Sequence, residues 1–335
     1  MTNPLVSIVI CCHNRAHLLP QTMESVFAQQ YEPVEIVVID DGSTDNTSEL
    51  MAGYADKIRY YRQENSGAAA TRTAGCRLAR GEYIAFQDDD DLMPPDRIVR
   101  LHKALCQHPS AVFALGDWAL IDADGNLTGK RSKFNIHVDN GEPVLIQDGY
   151  RAVLWPEVTP IPHTTLFRRT DGERIGWFDM RFFNAIEDTD FFARLGKLGP
   201  ILYVPQVLSY YRQGHGQMMG KSILLAYNRF LLFEKHLRSL NTGQEELRKR
   251  LQWRMSQTLR QLAVYESKTE KLHDSISTDR LKEGLSLLGL KDQLVYRWLA
   301  LIKLPLRRML LGRDRHSKGI EDTKVHKFSR METRQ

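Results

Sequence analysis

The sequence predicts an α/β protein in which a doubly wound sheet carries helices on both faces. Over the first hundred residues, short apolar runs alternate with segments whose apolar residues recur at helical spacing, as in βαβ units. A polar cluster also follows each apolar run. Because ligands of such sheets bind beyond the carboxyl ends of the strands, these clusters are candidate binding residues. No strand pattern returns after residue 220, which predicts a helical extension.

The elements follow in chain order from these patterns. A near-continuous apolar run at 5–10, typical of a parallel strand covered on both faces, predicts the first strand, and mainly apolar runs predict further strands at 35–39, 58–61 and 83–86. Helical spacing predicts helices at 18–27 and 68–79. Pro94 and Pro95 can open another helix, because proline is tolerated in a first helical turn. Later signals predict a hairpin turn at 122–126 and strands at 163–167, 201–204 and 207–211.

Composition and charge narrow the class of protein. The 335 residues can bury a large core. The net charge is +5, but residues 285–335 alone hold 12 Lys/Arg against 5 Asp/Glu, so nucleic acid is not an expected partner of the main body. The four cysteines show no Cys-x-x-Cys spacing and no secretory signal is present, which predicts a cytoplasmic protein. No apolar run reaches the roughly 18 residues of a membrane span.

Four consecutive aspartates, Asp88 to Asp91, follow the fourth predicted strand. Neighbouring carboxylates repel one another and cannot be buried without compensation. Hard oxygen ligands select Mg²⁺ or Mn²⁺, so the run predicts a divalent cation site. The alternative is an acidic surface turn. No Gly-x-Gly-x-x-Gly follows the first strand and no P-loop motif is present, which argues against a dinucleotide site or a nucleoside-triphosphate loop.

A family resemblance rests on several short motifs that occur in order along the chain. They lie at 6–15, 38–45, 65–67, 71–72, 79–84, 86–91, 176–179 and 187–191. With these motifs the region from about 4 to 215 resembles the family-two inverting glycosyltransferases. The resemblance implies a GT-A fold, that is, a Rossmann-like mixed sheet with helices on both faces. It also implies a nucleotide-sugar donor and Mn²⁺ or Mg²⁺ as cofactor.

The resemblance implies a role for each matching residue. Asp41 would accept from the uracil ring of the donor, and Asp188 would be the general base. Asp90 would bind the metal together with Asp88, and Asp88 or Asp89 would lie near the ribose. The donor-binding residues implied in this way are Cys11, His13, Asn14, Arg15, Asp41, Arg72, Asp88 and Asp89. Two positions depart from the family pattern, since Cys11 replaces a common Thr or Pro and Thr73 replaces Asn.

The chemistry of an inverting transfer is consistent with these residues. A single displacement needs an acceptor hydroxyl deprotonated on one face of the sugar and a diphosphate leaving on the other. Repulsion from Glu187 and Asp190 can raise the pKa of Asp188 toward a useful range. Each assignment has a structural alternative. Glu187 and Asp188 suit a helix N-terminus, Asp41 suits a turn or cap, and Arg72 suits a solvated helix face.

The segment 116–162 is expected to build the acceptor side. Trp155 is a candidate sugar contact or a core tryptophan, and His163 faces the site or is a satisfied buried histidine. Arg212 and His215 resemble a family feature near the leaving diphosphate, with His215 a further candidate metal ligand. A surface turn explains this pair equally well. Glu187 is a further candidate contact of the diphosphate or acceptor.

The predicted organisation has four parts. Residues 1–220 form the catalytic domain, with a donor-binding half at about 1–115 and an acceptor half at about 116–220. Residues 221–284 form a helical extension, in which 242–245 resemble a capping box. Residues 285–312 read as a basic amphipathic helix that binds an anionic membrane surface, packs on the preceding helices, or forms a homodimer. The composition of 313–335 predicts a disordered tail.

These observations predict a metal-dependent inverting glycosyltransferase. It would move a hexosyl or N-acetylhexosaminyl group from a UDP-sugar to a saccharide or lipid-linked glycan in cell-surface polysaccharide synthesis. The expected location is cytoplasmic, either free or peripheral on the inner face of the membrane. The alternatives are a non-catalytic nucleotide-sugar binding module and a nucleotidyltransferase on a related sheet.

Overall fold

A computed structural model describes residues 3–131, 134, 136–182, 185–213, 222–266 and 287. Within these residues the strands form one mixed sheet in the order β3-β2-β1-β4-β8-β5-β9-β7, with β6 paired to β5. The strands are β1 (Val6–Cys12), β2 (Val34–Asp40), β3 (Arg59–Arg62), β4 (Tyr83–Asp88), β5 (Phe113–Ile121), β6 (Leu127–Arg131), β7 (Val144–Ile146), β8 (Thr165–Arg168) and β9 (Ile201–Arg212).

The strand directions bring several chain segments to one edge of the sheet. β1 is parallel to β2 and β4, and β2 is parallel to β3. β8 runs antiparallel to both β4 and β5, and β5 is parallel to β9. The carboxyl ends of β1, β2, β4, β5 and β9 therefore meet at the edge where β8 begins. The prediction of an α/β mixed sheet is confirmed.

Helices cover both faces of the sheet, each through its own hydrophobic cluster. The helices are α1 (Leu19–Phe27), α2 (Thr47–Ala52), α3 (Ala68–Leu78), α4 (Arg97–Gln107), α5 (Gly149–Leu154), α6 (Arg169–Arg174), α7 (Glu187–Gly196), α8 (Ser222–Arg238) and α9 (Glu245–Glu266). Buried side chains of α1, α2 and α4 pack on one face. Those of α3, α5, α7, α8 and α9 pack on the other.

Helix α3 lies unusually close to the sheet. A Cβ atom built on Gly75 would stand 2.3 Å from Val9 Cγ1 of β1, so only glycine permits this approach. Arg72 lies three residues earlier, one turn nearer the carboxyl edge of the sheet. The close contact of α3 with β1 thus holds Arg72 over that edge.

Two local predictions differ from the structure. The predicted strands 201–204 and 207–211 are one strand, β9, because its pairing with β5 shifts register at Gly116 and Asp117 rather than ending there. The predicted strand at 163–167 begins at Thr165, since Pro162–Thr164 forms a 3₁₀ turn. The hairpin predicted at 122–126 is present and joins β5 to β6.

The described part of the helical extension packs into the cluster that also holds α5 and α7. Phe230 of α8 and Leu251 of α9 are fully buried there, together with Phe191 of α7. The predicted segments 285–312 and 313–335 lie outside the described residues except for Leu287, whose carbonyl accepts from Gln252 Nε2 at 2.7 Å. Within the described residues, no helix has the length and apolar character needed to cross a bilayer.

Candidate active site

Strand register determines the positions of the first predicted donor-binding residues. Cys11 of β1 is paired with Asp88 of β4, so both lie at the same level of the carboxyl edge. The backbone N–H of His13 donates to Asp89 Oδ2 at 3.0 Å, which fixes the exit of β1 against the aspartate run. Burial raises the pKa of the Cys11 thiol well above its usual range, so this side chain is an uncharged neighbour of the site.

Arg15 closes over the second and third aspartates. Its Nη1 donates to Asp89 Oδ1 at 2.8 Å and also to Asp90 Oδ2. Burial raises the pKa of Asp89 to about 7 even though Arg15 opposes the shift. One guanidinium therefore compensates only part of the negative charge at this end of the sheet.

Asp41 is mostly buried beneath the loop that leads from β3 to α3. Its Oδ1 accepts from the Ser66 N–H at 2.8 Å and its Oδ2 from the Gly67 N–H at 2.9 Å. Gln63 Nε2 also donates to Oδ1, at 2.8 Å. Gly42 has φ +76°, and a Cβ on it would lie 2.8 Å from the Asn65 nitrogen. Asp41 therefore has the role of a turn residue that was its structural alternative. Its Oδ2 can still accept a further hydrogen bond.

A polar rim surrounds the exit of β1. The His13 ring is exposed, with Asn14 Nδ2 and Asn65 Nδ2 each 3.2 Å from its Nε2. Asn14 has φ 53°, and its side-chain oxygen accepts from the Thr44 N–H at 2.7 Å. This hydrogen bond ties the residues that follow β1 to those that follow β2, next to the exposed side chain of His13.

Arg72 connects the carboxyl edge of the sheet to a distant part of the chain. Its Nη2 donates to Asp88 Oδ1 at 3.2 Å and its Nη1 to Glu187 Oε1 at 2.6 Å. Burial opposes ionisation of Asp88, but the charge of Arg72 lowers its pKa. Arg72 is therefore an ion-pair bridge between β4 and the start of α7 rather than a solvated side chain of a helix face.

Asp188 occupies the first turn of α7, which begins at Glu187 as expected for a helix N-terminus. Burial, followed by the charge of Glu187, raises the pKa of Asp188 to about 6, while Arg72 opposes the rise. Ile186, just before the helix, has φ 71°, a strained conformation for a β-branched residue. Such strain is typical of functional sites, and here it sets the direction in which α7 starts.

Three side chains at the end of β4 form a group that can hold a cation. Single ligand atoms of Asp88, Asp91 and His163 all lie within 4.8 Å of one another. Asp91 is fully buried, and burial together with the charge of Asp90 raises its pKa well above the usual range. His163 Nε2 has no hydrogen-bond partner among the described residues. The two carboxylates supply the oxygen ligands that suit Mg²⁺ or Mn²⁺, so this group can hold the implied metal.

His163 is fully buried, and burial lowers its pKa to about 4. Its Nδ1 lies 2.5 Å from Ser209 Oγ and 3.2 Å from Asp91 Oδ2. The imidazole is therefore neutral and keeps a ring nitrogen available as a ligand.

Two fully buried arginines, Arg97 and Arg212, lie next to the aspartate run. The Arg212 N–H donates to Asp91 Oδ1 at 2.8 Å, and its Nε donates to the Asp90 carbonyl at 2.8 Å. Arg97 Nη1 donates to Gln87 Oε1 at 2.9 Å. Burial lowers the pKa of Arg97 to about 9 although Asp88 and Asp91 raise it. Arg97 thus counterbalances Asp88 and Asp91, and Arg212 fixes the loop backbone through its bond to the Asp90 carbonyl.

The structure gathers most of the predicted residues but not all. The residues brought to one edge are Cys11, His13, Asn14, Arg15, Asp41, Arg72, Asp88, Asp89, Asp90, His163, Glu187, Asp188 and Arg212. Trp155 instead follows α5, with the guanidinium carbon of Arg250 4.1 Å from its ring centre. His215 lies outside the described residues.

Sequence reasoning missed Arg97, Asp91 as a separate ligand candidate, and Asn65. A signal for Arg97 was available, because it shares the helical spacing of Leu101 and Leu105 on the buried face of α4. Asn65 belongs to the motif at 65–67, but no role followed from it, since its approach to His13 depends on how the β3–α3 loop folds back.

The sequence matches known proteins over the same region. Residues 7–176, about half of the chain, match the family model described as "Glycosyl transferase family 2". An uncharacterized glycosyltransferase of Rickettsia felis is 37% identical over 128 residues, which cover 37% of this chain and 21% of that protein. Glycosyltransferase GlyG of Streptococcus pneumoniae is 34% identical over 127 residues, which cover 36% of this chain and 42% of that protein. The chain thus spans less than half the length of these relatives.

The fold also resembles a solved structure. S. aureus TarS 1–349 superposes with a TM-score of 0.59 and 15% sequence identity, over 96% of this chain and 95% of that one. The same fragment has been solved in complex with UDP and in complex with UDP-GlcNAc. At this identity the resemblance concerns the fold.

Proposed function

Because the chain belongs to glycosyl transferase family 2, we propose that it transfers a sugar from a UDP-sugar to a saccharide or lipid-linked glycan, with inversion at the anomeric carbon. The double ion pair of Arg72 carries this proposal. It joins Asp88, at the donor edge, to the helix turn that holds Asp188. An inverting displacement requires such a common cleft, because the base and the leaving diphosphate act on opposite sides of one carbon.

The donor half binds the nucleotide in this proposal. Asp41 Oδ2 accepts the uracil N–H, and the exposed His13 ring packs against the base. Asp88 or Asp89 contacts the ribose, while Cys11, Asn14 and Arg15 complete the pocket. The UDP and UDP-GlcNAc complexes of TarS support a uracil nucleotide and an N-acetylhexosaminyl or hexosyl donor.

Asp188 is the proposed general base. A base works best when its pKa lies near the operating pH, and burial together with Glu187 raises the pKa of Asp188 to about 6. The carboxylate is then mostly ionised at neutral pH and still basic enough to accept the proton of an acceptor hydroxyl. Arg72, between Asp88 and Glu187, limits the rise.

A divalent cation completes the proposed site. When bound, it neutralises negative charge that develops on the diphosphate. Asp88 belongs to both candidate ligand sets: the pair with Asp90 implied by the family, and the buried group with Asp91 and His163. Arg15 and Arg212 hold the aspartate run in place in either case.

The acceptor half and the C-terminal segment determine what the enzyme works on. We assign the half at about 116–220 to acceptor binding, with synthesis of a cell-surface glycan at the cytoplasmic face of the membrane. The basic segment 285–312 would bring the enzyme to an anionic surface, with packing on α9 or dimer formation as the alternatives. Deletion from residue 285 onward, followed by co-sedimentation with anionic vesicles, tests this part. Equal sedimentation of both proteins would contradict it.

Donor hydrolysis and transfer test the catalytic proposal. A panel of UDP-, GDP- and dTDP-sugars is screened for nucleotide release with and without Mn²⁺, and we expect release of UDP alone. Asp188→Asn should lose about 10²–10⁴-fold in turnover while UDP still binds. Asp124→Asn, at an exposed hairpin carboxylate, is the matched control. Full turnover by Asp188→Asn would refute the base assignment. Release of pyrophosphate would favour a nucleotidyltransferase. Binding of a UDP-sugar without turnover of any donor would favour a non-catalytic binding module.

A further inference from the structure

A buried ion-pair cluster joins the first turn of α7 to the C-terminal end of α8. It consists of Asp179, Asp190, Arg194, Lys235 and His236, and is called the Asp190 cluster here. Asp190 is fully buried. Lys235 Nζ donates to Asp179 Oδ2 at 2.8 Å and also to Asp190 Oδ1. Arg194 Nε donates to Asp190 Oδ2 at 2.7 Å. The ammonium group of Lys235 in α8 thus contacts two carboxylates, one in α7 and one in the loop before α7.

His236 extends this contact toward α5. Its Nε2 lies 3.2 Å from Asp190 Oδ1, and its Nδ1 lies 3.0 Å from the Tyr150 hydroxyl. The Tyr150 hydroxyl is also 3.3 Å from Ser239 Oγ, which accepts from Lys197 Nζ at 2.9 Å. A chain of polar contacts therefore crosses a cluster that is otherwise hydrophobic, and it begins at Asp190.

Arg194 extends the cluster to the loop before α7. Its Nη1 donates to the Ile175 carbonyl at 2.7 Å and its Nη2 to the Trp177 carbonyl at 2.5 Å. Trp177 has φ 62° and lies against Gly172. The Asp190–Arg194 pair thereby fixes the loop 175–179, which also carries Asp179, to the same helix turn.

The charge on Asp190 is maintained by these partners. Burial alone would raise the pKa of this carboxyl group, but His236, Arg194 and Lys235 lower it to about 2. The ionised form is thus strongly tied to α8. In the same helix turn, Glu187 is tied to Arg72 of α3. Asp188 lies between these two anchors in sequence.

We propose that Lys235 and His236 are positioning residues that hold the first turn of α7 so that Asp188 is directed at the acceptor hydroxyl. This inference rests on the proposed role of Asp188 as base. It makes α8 part of the catalytic machinery, although neither residue is placed in contact with the donor or the acceptor. The helical extension then contributes to turnover rather than only to stability.

Loss of the Lys235 charge would leave Asp179 and Asp190 close together without a shared cation. The remaining partners hold the two carboxylates separately, since Arg181 pairs with Asp179 at 2.6 Å while Arg194 and His236 contact Asp190. No contact among these joins Asp179 to Asp190, so repulsion between the two carboxylates would shift the first turn of α7. Displacement of a catalytic group by about 1 Å can lower a rate about 10²-fold. Donor binding should be spared, since its proposed residues lie on β1, β2, β4 and α3.

The test compares Lys235→Met, Lys235→Arg and His236→Gln in the full chain. We expect kcat of Lys235→Met to fall at least about tenfold, with donor KM and UDP affinity unchanged. His236→Gln should show a smaller loss of the same kind. Lys235→Arg should recover most of kcat, because a guanidinium can also span both carboxylates. Arg238→Met is the control and should match the wild type. It removes an exposed cation of the same helix, whose partner is Glu234, one turn earlier in the sequence.

Two outcomes would overturn the inference. One is wild-type kcat in Lys235→Met; the other is a loss of UDP affinity that parallels the loss of kcat and is not rescued by arginine. If Lys235→Met fails to fold, Lys235→Gln, which keeps a hydrogen-bond donor but no charge, replaces it, and wild-type kcat in that variant would also refute the inference. Asp188→Asn, measured in parallel, separates the two proposals. If it retains turnover, the base assignment itself is wrong.

Discussion

Arg72 Nη1 donates to Glu187 Oε1 at 2.6 Å, although the two residues are 115 positions apart in sequence. The same guanidinium donates to Asp88 at 3.2 Å. Three elements, α3, β4 and α7, therefore meet at one side chain. The bond also couples the electrostatics of the two halves of the site, since the charge of Arg72 acts on both Asp88 and Asp188.

This bridge predicts that lysine cannot replace arginine at position 72. An ammonium group acts as a point charge and lacks the planar fork that reaches two carboxylates. We expect Arg72→Lys to lower kcat/KM about 10²-fold, measured by UDP release at saturating acceptor. Arg77→Lys, at an exposed position of the same helix, should have no effect. Wild-type kcat/KM in Arg72→Lys would contradict a bridging role.

The pKa of Asp188 predicts an acid limb in the pH profile. A general base must be deprotonated, so kcat/KM should rise with pH through about 6 and level off above it. Glu187→Gln removes the neighbouring negative charge that raises this pKa, so the limb should move to lower pH. Steady-state kinetics between pH 5 and 8, in buffers of constant ionic strength, measures the acid limb of the wild type and that of Glu187→Gln. A limb that stays in place in Glu187→Gln would speak against Glu187 as a cause.

The aspartate run predicts that Mn²⁺ stabilises the protein. A ligand present at 100 times its Kd stabilises by about 2.7 kcal/mol, which thermal melts detect. Because Asp88 is common to both candidate ligand sets, Asp88→Asn should abolish the shift in melting temperature. Asp90→Ala should abolish metal-dependent UDP binding. If Asp90→Ala keeps that affinity and Asp91→Asn loses it, the buried group with His163 is the metal site. Metal ligands must be deprotonated, so the shift should shrink as the pH falls.

The burial of Arg97 predicts that its substitution lowers the stability of the fold, although Arg97 is not one of the residues proposed to contact the donor or acceptor. Removing one partner of a buried charge cluster costs about 3–5 kcal/mol, and we expect a loss of this order in Arg97→Met, measured by urea unfolding at pH 7. The charges of Asp88 and Asp91 act on this guanidinium, and its Nη1 donates to Gln87 Oε1. A loss no larger than that of Arg77→Met, at an exposed position of α3, would mean that Arg97 does not compensate the buried carboxylates.

The features that sequence predicted well are those that depend on local periodicity. The apolar runs of β1, β2 and β4 are buried on both faces, and their polar exits meet because parallel strands end at one edge. The insertion of β8 between β4 and β5 could not be predicted in this way, because it depends on pairing between residues about 80 positions apart. The same holds for Asp190 and Lys235, whose contact requires α8 to return to α7.

The contact between α8 and α7 limits how this chain can be modified. A chimera that takes its C-terminal helices from another relative would have to supply a cation for Asp179 and Asp190 together, as well as apolar side chains against Phe191. A truncation before Ser222 would uncover that apolar surface and remove the cation that Asp179 and Asp190 share, leaving Asp179 with Arg181 and Asp190 with Arg194. Engineering of the proposed acceptor half is therefore best directed at the loops between β5 and α7, with both ends of α8 left untouched.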